Sequence, residues 1–297
     1  MTSNTRLYRF LSRESVKQQI EEWTVYIAFL FFIGHLLLIA LRNFFPEFTF
    51  LQPLSANYLS ALYTPFSVIL VYEVYLLILA LPLSFTNSIR KQYEIISLII
   101  IRNVFKDISK FDDFDQLAEQ QDVILQIATD LGSGLLLFLL VGVFYQVSLK
   151  RKSLNYLTKE QIQKFVLIKE RVALLLLFIF SILTILSVYN FMEEVYRLIV
   201  FEEAFELDLS IIFFVEFYTV MIFSDVFIFI LSFMFSQTYA RLLRNAGFVS
   251  STVILRISLS ADPQYSGWVA AVALITGILS QLIYVYFSRL DQDGQSS

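Results

Sequence analysis

The chain alternates between long apolar runs and shorter polar ones, and the apolar runs share a length. Stretches at about 23–41, 64–86, 123–148, 172–191, 209–235 and 267–287 carry few charges. A helix needs about 20 residues to cross the ~30 Å hydrocarbon core of a bilayer. Backbone in lipid must also satisfy its own hydrogen bonds, which helices do. The pattern therefore predicts an all-α, polytopic membrane helix bundle with about six hydrophobic segments. Trp23 at the head of the first segment fits the aromatic belt of a membrane interface. Pro65 suits the first turn of the second, and Pro82 is expected to kink its far end. The membrane domain, 23–288, lies between a basic N-terminal segment, 1–22, and a polar tail, 289–297.

Two polar segments have a helical periodicity of their own. In 1–22, Arg6, Arg9, Arg13 and Lys17 recur at spacings of three and four and share a face, with Leu7, Phe10 and Leu11 beside them. This reads as a basic amphipathic helix, either a solvated arm or an attachment to anionic lipid headgroups. In 92–110, Ile96, Ile100, Ile101, Val104, Phe105 and Ile108 form a stripe among charged residues. That stretch is too short and too charged to span, so an amphipathic interfacial helix is expected there, on the membrane surface or packed under the bundle. Arg90, Lys91, Arg102, Lys106 and Lys110 become candidates for contact with lipid or for coupling.

Lys and Arg are enriched in cytoplasmic loops. With six crossings and a cytoplasmic N-terminus, the two sides hold 11 and 11 of these residues, which is no bias. If 123–148 instead enters and leaves on one side, broken near Gly132–Gly134, the balance becomes 19 to 3. Charge thus favours a re-entrant pair of half-helices, while the 26-residue length of the stretch favours a full span. A crossing at 92–105 would also restore the bias, but Glu94 and Arg102 argue against it. The expected location is a cell (inner or plasma) membrane with the N-terminus cytoplasmic, and no signal peptide is visible in the first 22 residues.

Composition narrows the chemistry. Of 297 residues, 57% are hydrophobic and 16% charged, with a mean hydropathy of +0.68. Soluble domains carry about 25% charged residues. Cys is absent and His35 is the single histidine, which excludes disulfides, thiolate metal sites and multi-histidine sites within one chain. No phosphate-loop or dinucleotide fingerprint occurs, nor a TVGYG filter. No catalytic site, metal or cofactor is expected, and no nucleic-acid partner.

Acids inside the spans remain as candidate chemistry. A charge at the centre of a spanning helix costs about 2.5–3.5 kcal/mol. Glu73 is near the centre of the second span, Glu216 and Asp225 lie in the fifth, and Asp130 sits beside the Gly-Ser-Gly stretch of the third. No span centre supplies a cation to pair with them, and Arg256, before the last span, is expected to pair with Asp262 or to reach headgroups. These acids mark an ion path or are held neutral by Tyr, Ser and Thr neighbours. Glu216 and Asp225 are nine residues apart and face opposite sides of one helix, which suggests a homo-oligomer. The expectation is a cation-favouring channel or channel-like transport protein. The alternative is a membrane sensor, scaffold or complex subunit that docks a partner or anionic lipid on its basic face.

Overall fold

In a computed structural model, residues 3–47, 51–52, 54–109, 121–149, 159–201, 211–235 and 238–293 are described, and every regular element among them is helical. The helices are α1 (Ser3–Leu11), α2 (Glu14–Phe44), α3 (Tyr63–Ala80, entered through a 3-10 turn at Tyr58–Leu62), α4 (Phe85–Ile101), α5 (Asn103–Ile108), α6 (Gln121–Leu149), α7 (Lys159–Phe201), α8 (Ile211–Phe235), α9 (Tyr239–Leu259) and α10 (Pro263–Asp293). Six of the described helical stretches are long and apolar enough to cross a membrane, within α2, 58–80, α6, α7, α8 and α10. They coincide with the six apolar runs.

Local chemistry places the breaks. The basic N-terminal segment is two helices, because Arg13 adopts an extended conformation (φ −65°, ψ 139°) between α1 and α2. Pro82 terminates the second span instead of kinking it: α3 ends at Ala80, and Ser84 then caps α4 by accepting from the Asn87 N–H at 3.4 Å. Pro263 opens α10, where a missing N–H is harmless, and the Asp262 carbonyl accepts from the Tyr265 N–H at 2.9 Å.

The helix order is revealed by side-chain pairs that fix direction. His35 of α2 meets Thr64 of α3 and Tyr72 of α3 meets Glu21 of α2, so these helices are antiparallel. A four-residue turn folds α4 back along α3, and the pairing continues into α5, where Phe66 stacks on Phe105 at 4.5 Å. Ile101 and Tyr93 of α4 touch Gly134 and Phe144 of α6 in reverse order. Phe180 and Phe165 of α7 meet Phe217 and Phe235 of α8, again antiparallel. Gly247 and Ser251 of α9 lie against Ser280 and Gly277 of α10. Among the described residues the bundle is thus traversed eight times, by α2, α3, α4, α6, α7, α8, α9 and α10. The near end of the bundle, as we term it, carries α1, the 81–84 turn and the start of α7.

Two sequence expectations change. The amphipathic stripe is helical over the described residues, as α4 and α5, but its α4 part lies inside the bundle and not at an interface. Tyr93, Ile96 and Ile100 have no exposed surface, and Ser88, Gln92 and Ser97 are buried with them. The charges that seemed to forbid burial are paired: Arg102 with Glu73, and Glu94 with Lys91 at 2.7 Å. The 123–148 stretch is not re-entrant. α6 runs unbroken through Gly132, Ser133 and Gly134, where the small residues admit a neighbour: Ile101 packs on Gly134.

A single core of Val74, Leu77, Ile78, Tyr93, Ile96, Ile100, Leu137, Phe144, Leu176, Phe217, Phe248 and Leu274 unites these helices. Close approach depends on glycine where α10 crosses α4 and α6, as it does between α9 and α10 at Gly247. A methyl at Gly277 would collide with the Tyr93 hydroxyl, and one at Gly267 with the Ser133 hydroxyl. Apolar side chains also cover the outside, among them Phe29 and Leu30 of α2, Phe178 and Ile185 of α7, and Phe223 and Ile230 of α8. Such an outer surface suits lipid.

Candidate functional site: a buried charge network

The polar interior of the bundle is supplied mainly by α4 and α9. On α9, Arg244, Asn245, Ser251, Thr252, Arg256 and Ser258 are buried among Phe248, Val249 and Leu255. Spacings of one, four and seven put these polar groups on one side of the helix, turned away from lipid. Arg256 is 1% exposed. It forms a close ion pair with Asp225 of α8, and its second guanidinium nitrogen donates to the Gln92 side-chain oxygen of α4 at 2.9 Å. The Gln92 amide in turn donates to Ser88 Oγ at 3.2 Å. One arginine therefore joins three helices, and its Nε has no partner among the described residues.

Lys169 of α7 approaches the same region from the near end. It is 2% exposed. Its ammonium donates to the Leu83 carbonyl in the 81–84 turn and lies 5.2 and 5.5 Å from the rings of Phe85 and Phe165. Between Lys169 and the Asp225–Arg256 pair is a cavity of about 20 Å³, whose polar lining is Ser88, Gln92, Lys169, Asp225 and Thr252. That volume admits one water or a bare small ion.

Glu73 belongs to a second pair. Arg102, at the junction of α4 and α5, binds it closely and also donates to the Phe66 carbonyl at 3.0 Å. The sequence reading that no cation reaches the span acids is overturned at both sites. The cations come from α4 and α9, which hydropathy does not mark as spans. Arg256 likewise pairs with Asp225, not with Asp262.

The remaining candidates are dispersed. Asp130 of α6 is buried, and its carboxylate accepts from the Gln126 amide at 3.1 Å, apart from the cavity. Glu216 is exposed in the second turn of α8, whereas Asp225 of the same helix is buried, so the opposite orientation expected from their spacing holds. Arg90 lies over the Tyr145 ring at 4.5 Å, and Lys91 pairs with Glu94. Lys106 lies over Tyr63 at 5.4 Å. Arg102 serves an internal pair instead of a lipid surface, and Lys110 falls outside the described residues. His35 Nδ1 is 2.6 Å from Thr64 Oγ1, a helix-to-helix hydrogen bond.

Sequence reasoning did not select Lys169, Arg256, Gln92, Ser88 or Thr252 as a site. Lys169 was hidden in a strongly basic run, 149–171, ahead of the fourth span, and Arg256 in a stretch that reads as semi-apolar. Among the described residues no group of three or more His, Asp or Glu could hold a metal ion. Comparisons with protein-family models, with curated proteins and with solved structures find no match to this chain.

Proposed function

We propose that this chain is a membrane transport protein that passes a cation or proton through its interior, with Asp225 as the group that exchanges partners. The observation that carries this reading is the buried ion pair of Asp225 with Arg256, with Asp225 lining a small cavity that the buried Lys169 also lines. Buried ion pairs in a low-dielectric interior are poor sources of stability, since well-packed apolar residues commonly do as well or better. Ionisable groups inside a membrane bundle are accordingly functional candidates by default. A proton or small cation reaching Asp225 would replace Arg256 as its counter-charge and free the guanidinium, whose Gln92 contact remains as an anchor. Glu73 and Arg102 form a second exchangeable pair at another depth, and Glu73 and Asp130 extend the acidic character that favours cations. The test is flux from proteoliposomes loaded with a pH- or K⁺-sensitive dye. Asp225→Asn is expected to abolish flux. Wild-type protein that carries none, under varied pH and voltage, would sink the proposal.

Orientation follows from charge. Assigning each cation among the described residues to the nearest helix end along the chain puts 13 of 18 Lys and Arg residues at the near end and five at the other: Arg42, Arg102, Lys106, Arg197 and Arg256. With eight crossings, both termini belong to the basic end, and the positive-inside rule makes that end cytoplasmic in a cell membrane. Exposed Glu216 on α8 is compatible with a neighbouring copy of the chain. The same basic end supports a second reading, a sensor or complex subunit that docks a cytoplasmic partner. Charge reversal at Arg241 and Lys164 would then abolish partner capture while leaving flux irrelevant.

A further inference from the structure

We infer that α1 forms a docking site for anionic phospholipid at the near end of the bundle, seated on the protein by one face and on headgroups by another. The seat is specific. The buried Tyr8 hydroxyl donates to the Leu79 carbonyl at 2.9 Å, the Tyr75 hydroxyl donates to the Leu11 carbonyl at 2.7 Å, and Arg9 Nε lies 3.5 Å from Glu170 Oε1. Burial first, then the nearby Glu170 and Tyr75, raises the Tyr8 phenol above its ordinary range, so it keeps the proton that it donates. These contacts hold the nine-residue helix on α3 and α7.

Arg6, Leu7 and Phe10 of α1 are exposed beside that seat and have the composition of an interfacial helix. At 100° per residue, Leu7 and Phe10 lie between the protein-facing side of Tyr8 and Leu11 and the basic side of Arg6 and Arg9. Leu7 and Phe10 are each more than half exposed. Arg6 and Arg13 are exposed too, and the Arg13 guanidinium lies 5.8 Å from the Phe10 ring centroid. An apolar wedge flanked by arginines matches an acyl and headgroup boundary carrying negative charge. Charge complementarity selects the occupant, because α1 lies at the end to which most of the described Lys and Arg residues belong. A cytosolic acidic protein would leave Leu7 and Phe10 without apolar cover, whereas a bilayer beside the outer helices supplies cover and charge together.

The site also touches the cavity. Glu170, which holds Arg9, follows Lys169 in the chain, and Leu79, which holds Tyr8, is two residues before the cavity residue Leu81. Lipid on α1 therefore braces the near wall of the cavity.

The test is hydrogen exchange of backbone amides 6–11 in the full-length protein, in nanodiscs of phosphatidylcholine with or without phosphatidylglycerol. Phosphatidylglycerol is expected to slow exchange by about fivefold for each engaged arginine. Arg6→Gln/Arg13→Gln should lose that slowing while amides of α10 stay protected. Arg9→Gln should speed exchange equally in both lipids and keep the lipid dependence, which separates seat from headgroup contact. Equal exchange in the two lipids, or a lipid effect that survives Arg6→Gln/Arg13→Gln, would overturn the inference. The readout involves no transport, so it stands or fails independently of the flux experiment.

Discussion

α2 and α9 traverse the same bundle with opposite logic. α2 is 31 residues long and borders mainly α3; Trp23, Tyr26, Phe29 and Leu30 on it are more than 60% exposed. α9 has 21 residues and buries two arginines, an asparagine, two serines and a threonine. Lipid sets the requirement for α2, which must be apolar on nearly every side. Protein sets the requirement for α9, whose neighbours α4, α8 and α10 supply carboxylate, amide and carbonyl partners. A helix enclosed by other helices escapes the apolar rule because each polar group can be satisfied within the bundle.

That contrast can be broken by substitution, reading stability as unfolding of the protein in mixed micelles. The largest effect is expected for Arg256→Ala, which strands Asp225 in the interior and should cost about 3–5 kcal/mol. A milder double change, Asp225→Asn with Arg256→Gln, should recover much of that loss, since no buried charge is left alone. Gly277→Ala comes next, at about 1–3 kcal/mol, because the new methyl meets the fully buried Tyr93 hydroxyl and ring at the α4–α10 crossing. Ser251→Ala removes a hydroxyl 2.5 Å from both the Tyr93 hydroxyl and the Ala273 carbonyl, and should cost about 1 kcal/mol. Leu30→Ala on α2 should change stability by no more than about 0.5 kcal/mol, because Leu30 faces away from the protein. A loss at Leu30 as large as that at Arg256 would erase the distinction between the two regions.

The same contrast explains what the sequence made legible. The outer shell was readable: six apolar runs became six long helices, because lipid-facing helices announce themselves by composition. α4 and α9 were not, because their hydropathy is diluted by charges whose partners are distant in sequence. Glu73 and Arg102 are 29 residues apart, Asp225 and Arg256 31, and Arg256 and Gln92 164. The even charge split of the six-crossing reading is what the proposed crossings of α4 and α9 would remove. A crossing at 92–105 repairs it, but Glu94 and Arg102 look prohibitive until their partners are in view. Of the acids, Glu73 and Asp225 were identifiable as intramembrane charges. Their pairing, and the inclusion of Lys169, depended on tertiary structure.

The proposed arrangement of eight crossings underlies the proposed orientation and the lipid seat, and the absence of cysteine makes it directly measurable. Single cysteines at Ser15, Glu47, Glu160 and Asp262 would be probed in intact cells with a thiol reagent that does not cross membranes. Ser15→Cys and Glu160→Cys are expected to be protected until the membrane is opened, and Glu47→Cys and Asp262→Cys to be labelled from outside. Labelling of Glu160→Cys together with Glu47→Cys would return the chain to six crossings, and protection of Asp262→Cys would restore the re-entrant reading; either result would contradict the placement of α4 and α9 as spanning inner helices.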